Sequence, residues 1–290
     1  MGDITYGYDF AKDVELKQVR KKMIIGKNGN ISIELQKSFP LALVIPGMEY
    51  KYWDDSNQLR KMFAGEPYDI YAAIGIVSSK AEPTNLERVN FHIPQKIADI
   101  IKGTDSRIIT FGSIMEKDER IVRSNAYIGT KKKLSEYLKE NLQEKNFLHV
   151  RLHTLYGGQN LNPEMFLGQL FHAIKHKTEF QMSSGNQFRE YHHIVDDLRA
   201  LSLLDEENYL GIQEISHEEV FTLRELAEKA LYHFDLLDLL IIGKREDPLN
   251  EILTPLGKRI KLLENFKFRP SIAGINSYLE DCLGKKSEGE

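Results

Sequence analysis

Short apolar runs alternate with longer amphipathic segments along the first half of the chain. The apolar runs predict strands at 23–25, 41–45, 69–77, 107–111 and 147–152. Apolar residues spaced one helical turn apart predict helices at 31–37, 54–63, 86–102 and 127–142. Several strands lack a polar alternation, which is typical of strands buried on both faces of a parallel sheet. The pattern therefore predicts an α/β fold with a doubly wound (Rossmann) parallel sheet.

After about residue 160 the pattern loosens into helices and short strands, including a strand at 211–215 and a helix at 222–234. We expect this half to form a smaller C-terminal lobe over residues 159–280, interleaved with the sheet. The main domain is expected over residues 23–158. Residues 1–22 are expected to be an N-terminal extension, and residues 281–290 a tail.

The composition is that of an ordinary globular protein, with 41% hydrophobic and 28% charged residues in a chain of 290. A net charge of -4 gives no general reason to expect a nucleic-acid partner. No apolar run approaches the roughly 20 residues that span a bilayer, and no signal-peptide pattern opens the chain. We expect a cytoplasmic protein with no membrane partner. Its one cysteine, Cys282, excludes an intramolecular disulfide.

A glycine-rich turn follows the first predicted strand and precedes a helix. Gly26 and Gly29 would let the backbone approach a pyrophosphate, and the helix N-terminus would supply unpaired N–H groups. Ser32, in the place of the usual third glycine, is small enough for close packing of helix on strand. A plain tight turn is the alternative for this pattern taken alone. Lys27 lies inside the loop, where a cation would meet a 2′-phosphate, so the sequence favours NADP, with NAD possible.

Three side chains further along the chain form a candidate catalytic set. Tyr127 and Lys131 are four residues apart and share one face of a predicted helix. A neighbouring ammonium favours the phenolate, so we expect the pKa of Tyr127 to be lowered and the phenol to exchange protons with a substrate hydroxyl. Ser113, at the end of the preceding buried strand, would polarise a carbonyl oxygen. Chance spacing, with Tyr127 packed against the sheet, is the alternative.

Together these motifs resemble the extended short-chain dehydrogenase/reductase family of nucleotide-sugar epimerases, dehydratases and 4-ketoreductases. The resemblance rests on Gly26-x-x-Gly29, Ser113, Tyr127-x-x-x-Lys131, the loop Arg151-Leu-His-Thr-Leu-Tyr-Gly-Gly158 and the segment Arg189-Glu-Tyr-His-His-Ile-Val-Asp-Asp197. It implies a Rossmann domain that binds NADP or NAD and a lobe that binds a nucleotide sugar. Helices 86–102 and 127–142 would pair with their copies in a homodimer.

The resemblance also assigns residues to roles. Cofactor-binding positions are Gly26, Lys27, Gly29, Asn30, Ile31, Gly75, Asn90, Tyr127, Lys131 and His153. Substrate-binding positions are Ser113, Ile114, Thr154 and Arg189. Arg189 would clamp the diphosphate, with a surface ion pair to Glu190 as the alternative. Asp196 and Asp197 are interpreted as a helix start.

Departures from the family pattern reduce the number of reactions that we expect this chain to catalyse. Dehydratases of the family carry Thr-Asp-Glu where this chain has Ser113-Ile114-Met115, which argues against water elimination. Thr154 replaces an asparagine common in epimerases, and the short stretch after Ile45 predicts that the usual third strand is reduced or missing. The sequence therefore favours a nucleotide-sugar 4-ketoreductase acting on a 4-keto-6-deoxyhexose. An epimerase of the same family and a non-catalytic dinucleotide-binding scaffold are the alternatives.

Four histidines raise the question of a metal site. His172 and His176 have the spacing of a helical metal pair but no glutamate base between them, and His192 and His193 would face opposite sides of a strand. We interpret them as surface or substrate-lobe residues, and the sequence predicts no metal.

Overall fold

The computed structural model describes residues 20–47, 56–63, 65–77, 81–159 and 161–284. The strands are β1 (Lys21–Ile25), β2 (Leu43–Ile45), β3 (Tyr68–Ala72), β4 (Arg107–Ser113), β5 (Phe147–Leu152), β6 (Thr154–Tyr156), β7 (Phe180–Gln181), β8 (Phe188–His193), β9 (Gly211–Glu214), β10 (Val220–Thr222) and β11 (Leu240–Ile241). The α-helices are α1 (Asn30–Ser38), α2 (Ser56–Phe63), α3 (Pro83–Glu87), α4 (Ile93–Ile101), α5 (Glu119–Ser124), α6 (Ala126–Asn141), α7 (Phe166–His176), α8 (Ile194–Glu206), α9 (Leu223–His233) and α10 (Ser271–Gly284). Within the described residues, no helix is long and apolar enough to cross a membrane.

The central sheet is parallel throughout, with the strand order β2-β1-β3-β4-β5-β9. The chain runs outward from β1 to β2 and then returns to place β3 on the other side of β1. In open α/β sheets this reversal opens a crevice at the carboxyl ends of the strands, where ligands bind. The predicted doubly wound α/β fold is confirmed.

Alternating side chains of the strands supply two separate cores. In β1, Met23 and Ile25 face a cluster covered by α2, α4 and α6, whereas Ile24 faces a cluster covered by α1 and α8. All three side chains are fully buried. Because these strands are buried on both faces, their sequences contain continuous apolar runs.

A second body of structure stands beside the carboxyl edge of the sheet. It contains the small sheets β10-β8-β6 and β11-β7, and its core joins α7, α9 and α10. Between its elements the chain returns to the main sheet, where β9 pairs with β5 and α8 packs on the sheet face. Both bodies therefore contribute residues to the same crevice.

Several predicted boundaries shift in the structure. β3 ends at Ala72, and residues 73–77 leave the sheet as an irregular segment rather than continuing the strand. The predicted helix 86–102 starts earlier, at Pro83, and contains a π-helical turn over Arg88–His92. Between β2 and β3 the described residues contain no strand, while residues 48–55 lie outside them. Most of the expected extension, at 1–19, and the tail residues 285–290 also lie outside the described ranges.

The two helices expected at a dimer interface lie side by side on one face of the sheet. Ile97 of α4 and Leu134 of α6 belong to the same buried cluster, and Phe91 meets Tyr137 edge to face at 5.9 Å. Pairing of these helices with a second copy stays a prediction.

A buried ion network fixes the amino ends of the central strands, at the edge opposite the crevice. The Arg107 guanidinium donates to Asp69 at 2.9 Å and also pairs with Asp205 of α8. Lys22 lies 2.7 Å from Asp69 and 3.3 Å from Asp205. Arg107 is 3% exposed, so its loss would leave the buried Asp69 and the partly buried Asp205 without the guanidinium that bridges them.

Replacing Arg107 by methionine should therefore lower the free energy of unfolding by about 3–5 kcal/mol, the usual cost of removing one partner from a buried ion network. Arg224→Met is the matched control, because Arg224 pairs with Glu228 on the surface of α9. The control should change stability by no more than about 0.5 kcal/mol. Urea denaturation of the two variants measures the difference, and equal losses would contradict the assignment.

Candidate active site

The glycine loop lies at the carboxyl end of β1, with its backbone pressed against the end of β3. Gly26 has φ +107, and a Cβ atom there would lie 2.5 Å from the carbonyl oxygen of Ala73. The Ser32 hydroxyl donates to the carbonyl oxygen of Gly26 at 2.6 Å and ties α1 to the loop. Gly29 is the N-cap of α1, which begins at Asn30. The loop therefore exposes a helix N-terminus at the crevice and has no room for a side chain at Gly26.

The other loop residues predicted to bind a cofactor have different surroundings. Lys27 is exposed, and Ile31 packs partly buried against the sheet. Asn30 faces the loop that follows β6, where a Cβ atom at Gly158 would lie 2.8 Å from the Asn30 Cγ. Gly158 has φ +87, which favours glycine. The two loops thus meet across the crevice.

Asn90 braces the end of β3 from the π-helical turn. Its Oδ1 accepts from the backbone N–H of Ile76 at 2.8 Å, and its Nδ2 donates to the carbonyl oxygen of Ile76 at 3.0 Å. A Cβ atom at Gly75 would lie 3.4 Å from the Asn90 Oδ1 and 3.6 Å from the Lys131 Nζ. Three predicted cofactor residues, Gly75, Asn90 and Lys131, are therefore in one place. Single π-helical turns are frequent at functional sites.

The tyrosine and the lysine occupy the first two turns of α6. Asn125 caps this helix by accepting from the backbone N–H of Ile128 at 3.2 Å. Tyr127 packs partly buried against the cluster of Ile121, Ile128 and Ile252, and the Lys131 Nζ lies 5.7 Å from the centroid of its ring. Lys131 is only 5% exposed.

The charge states of this pair differ from the expectation. Burial raises the pKa of Tyr127 to about 12, and the charge of Glu116 adds to the increase. Burial lowers the pKa of Lys131 to about 8, and Glu116 opposes part of that decrease. The predicted direction for the phenol is wrong in this structure, because desolvation of the phenolate governs its pKa. Near neutral pH the phenol keeps its proton and the ammonium is still mostly charged.

Ser113 ends β4 and is held by a capping box. Its Oγ accepts from the backbone N–H of Met115 at 3.2 Å, while its own backbone N–H donates to the Glu116 Oε1 at 2.7 Å. Among the described residues no acceptor takes the Ser113 hydroxyl proton. That proton is available to an oxygen bound in front of the strand.

Glu116 is a buried charge that our sequence reasoning missed. It is fully buried, and its carboxylate lies 3.2 Å from the His149 Nε2 and 3.2 Å from the Arg151 Nε. Burial opposes its charge, but His149, the N–H of Ser113 and Arg151 outweigh burial and lower its pKa to about 2. The spacing Ser113-x-x-Glu116 is a capping-box pattern and was the signal available in the sequence.

A small cavity of about 50 Å³ opens in front of Ser113. It is lined by Ser113, Ile114, Met115, His153, Thr154, Phe188, Arg189, Glu190, Val220, Ile252, Pro255 and Leu256. The four predicted substrate-binding residues are all among them, together with His153. Tyr127 packs against a small buried cluster that includes Ile252 of this lining. Both bodies of the fold contribute to the wall.

Arg189 reaches the cavity from β8 with its charge already partnered. Its guanidinium pairs with Glu251 and donates to the carbonyl oxygen of Phe188 at 2.8 Å. The alternative ion pair with Glu190 is wrong, since the Glu190 carboxylate points to the other side of the strand. A ligand phosphate would compete with Glu251 for Arg189.

Glu190 is the centre of a histidine cluster at the floor of the cavity. Its carboxylate lies 2.8 Å from the His192 Nε2 and 3.4 Å from the His153 Nε2. Ser216 donates to both carboxylate oxygens at 3.0 Å, and His217 donates its backbone N–H. The sequence predicts a strand position for His192, but no local pattern indicates that His153, between β5 and β6, and His217, in the loop after β9, lie beside it.

The cluster carries a buried ion triad. Burial opposes a charge on His192, but Asp197 and Glu190 outweigh it and raise its pKa to about 9. Burial lowers the pKa of His153 to about 3, which keeps that ring neutral. Asp197 lies in the first turn of α8, as does Asp196, so the predicted helix start is confirmed. His193 faces the opposite side of β8 and contacts Tyr156.

A family comparison agrees with this architecture. The model of the NAD dependent epimerase/dehydratase family matches residues 35–213, more than half of the chain. The chain belongs to this family. Among curated proteins none matches the chain by sequence.

Solved structures with the same fold represent several reactions. A dTDP-4-dehydrorhamnose reductase from Bacillus anthracis strain Ames, in complex with NADP, is 15% identical with a TM-score of 0.72 over 90% of this chain and 99% of that one. A UDP-N-acetylglucosamine 4-epimerase from Methanobrevibacter ruminantium M1 is 16% identical with a TM-score of 0.70 over 91% and 97%. TunA, an NDP-hexosamine 5,6-dehydratase, is 12% identical with a TM-score of 0.71 over 92% and 99%. At these identities the likeness establishes the fold, and the reaction has to be argued from the residues of this chain.

The glycine loop yields a direct test of its packing. Gly26→Ala should lower the free energy of unfolding by about 1–3 kcal/mol more than Gly65→Ala, the usual cost of forcing an extra methyl group into packed atoms. Gly65 is the matched control because its φ is +105, close to that of Gly26, but a Cβ atom there meets no atom within 4 Å. Chemical denaturation separates the two costs, and equal losses would mean that the end of β3 gives way.

Proposed function

We propose that this family member is an NAD(P)H-dependent ketoreductase that acts on the 4-keto group of a nucleotide-linked 6-deoxyhexose. NADP is the preferred cofactor in this proposal. The observation that carries it is the Ser113 hydroxyl at the cavity, with the protonated phenol of Tyr127 packed against the buried cluster that contains the cavity-lining Ile252. Two oxygen acids near one cavity suit the reduction of a carbonyl, in which the oxygen gains negative charge and then a proton.

The residues at the crevice fit a dinucleotide. The absence of space for a side chain at Gly26 and the exposed N-terminus of α1 are suited to a pyrophosphate. Gly75 leaves room beside the buried Lys131 ammonium, where the ribose hydroxyls of a nicotinamide nucleotide would be held. Lys27 is exposed and free to approach a 2′-phosphate. When bound, the reduced cofactor supplies a hydride.

The side chains of this chain then have defined tasks in the reduction. Ser113 donates a hydrogen bond to the carbonyl oxygen and draws electron density away from the carbon. The carbonyl oxygen gains negative charge when its carbon is reduced, and it would then take the proton of Tyr127. The phenolate left behind is offset by the Lys131 ammonium, and water returns the proton. Ile114 and Met115, where dehydratases carry an acid–base pair, offer no group for water elimination.

Tyr127→Phe should reduce kcat for NADPH oxidation with an NDP-4-keto-6-deoxyhexose by about 100-fold or more, because it removes the proton donor. The affinity for NADPH, measured by fluorescence titration, should change little. Tyr209→Phe, on a tyrosine packed with the opposite sheet face, is the matched control and should leave kcat unchanged.

Other outcomes identify the alternatives. Conversion of a nucleotide sugar with no net consumption of NADPH would instead indicate an epimerase, which returns the hydride to the same sugar. A Tyr127→Phe protein that retains full biological activity would favour a non-catalytic scaffold.

The rate of reduction should fall as the pH rises through about 8. The pKa of Lys131 is lowered to about 8 by burial, so its ammonium is lost above that value and no longer offsets the phenolate. Glu116→Gln should move this decline to lower pH, because Glu116 raises the pKa of Lys131. Glu228→Gln, on the surface of α9, is the control. A kcat/KM profile that is identical in all three proteins would refute this role of the buried charge.

A further inference from the structure

We propose that His153, Glu190 and His192 form a binding site for a divalent transition metal of the zinc class at the floor of the cavity. The two imidazole Nε2 atoms and a carboxylate oxygen of Glu190 lie within 4.8 Å of one another. Two histidines and one carboxylate are a common protein ligand set for catalytic zinc. The site revises the expectation, drawn from the sequence, that the chain binds no metal.

The unpartnered nitrogen of His153 is the observation that points to a ligand. The His153 side chain is 6% exposed, and its Nε2 is buried with no hydrogen-bond partner although it lies 3.4 Å from the Glu190 Oε2. A buried polar atom without a partner costs free energy, so such atoms are rare unless something binds them. A metal between the ring and the carboxylate would satisfy this nitrogen.

The groups behind the ligands are arranged as in metal sites. The His192 Nδ1 lies 2.5 Å from the Asp197 Oδ1, which aims the Nε2 of the same ring at Glu190. A carboxylate behind a ligating histidine is the usual outer partner in zinc sites. Ser216 and the backbone N–H groups of His217 and Glu218 fix the Glu190 carboxylate from the other side. A dication bound to the His192 Nε2 would displace the proton of that ring and would balance the charges of the two carboxylates in its place.

The three ligand atoms must move slightly closer together to hold a metal, and the fourth coordination position stays open. Metal–ligand bonds of about 2.0–2.2 Å place the ligand atoms of a tetrahedral site roughly 3.4 Å apart, so side-chain rotations on the order of 1 Å would complete it. His153 and Glu190 line the cavity, whereas His192 lies fully buried behind them. The fourth position therefore faces the cavity, open to water or to a substrate oxygen.

Metal binding can be measured without any substrate, so the result is independent of the proposed reduction. Chelator-treated protein should bind one equivalent of Zn²⁺, followed with a chromophoric chelator, and Co²⁺ should give the visible absorption of a four-coordinate site. His153→Gln should weaken binding by at least about tenfold, as expected for loss of a ligand. The matched control is the double variant His172→Gln/His176→Gln, which removes the exposed histidine pair of α7, whose ring centroids lie 4.4 Å apart.

Retained binding in the control and weakened binding in His153→Gln support the site. Wild-type protein that binds no Zn²⁺, or loss of binding in the control alone, overturns it. If His153→Gln does not fold, the proposal can still be tested on the wild-type protein. Crystals soaked with Zn²⁺ should give an anomalous peak between His153, Glu190 and His192, and a peak at α7 only, or no peak, rejects the proposal.

Discussion

The buried carboxylate of Glu116 is the constraint on which the candidate site depends. It accepts the backbone N–H of Ser113, so it fixes the end of β4 and the direction of the serine hydroxyl. The same charge acts on Tyr127, whose pKa it helps to raise, and on Lys131, whose ammonium it helps to retain. His149 and Arg151 of β5 hold the carboxylate ionised despite its burial. One interaction thus sets the position of the serine and influences the charges of both residues of the Tyr-x-x-x-Lys motif.

The protonated state of Tyr127 changes how the motif is understood in this chain. A lysine four residues away predicts an acidified phenol, but here the ammonium lies 5.7 Å from the ring centroid and desolvation prevails. A phenol that keeps its proton is prepared to donate it, which suits reduction of a ketone better than abstraction of a proton from an alcohol. The apolar pair Ile114 and Met115 also favours a reductase over a dehydratase, since elimination of water would need an acid and a base at these positions.

Features fixed by local sequence were predictable, and those made by tertiary packing were not. The apolar runs gave β1 and β5 because both are buried on two faces, and Gly26 marked a turn that no other residue fits. The end of β3 was missed because the apolar residues 73–77 are held as an irregular segment by Asn90, from a distant helix. The Glu190 cluster has no local pattern either: its histidines come from the link between β5 and β6, from β8 and from the loop after β9, and only the packed fold joins them.

In the proposed reaction a sugar ketone bound in the cavity is reduced by direct hydride delivery from a nicotinamide. The most direct test is transfer of deuterium from NADPH that carries deuterium at both nicotinamide C4 positions to an NDP-4-keto-6-deoxyhexose, followed by mass spectrometry of the sugar nucleotide. We expect one deuterium in the product for each NADPH consumed. Product without deuterium, or an altered sugar with NADPH unspent, would contradict the account.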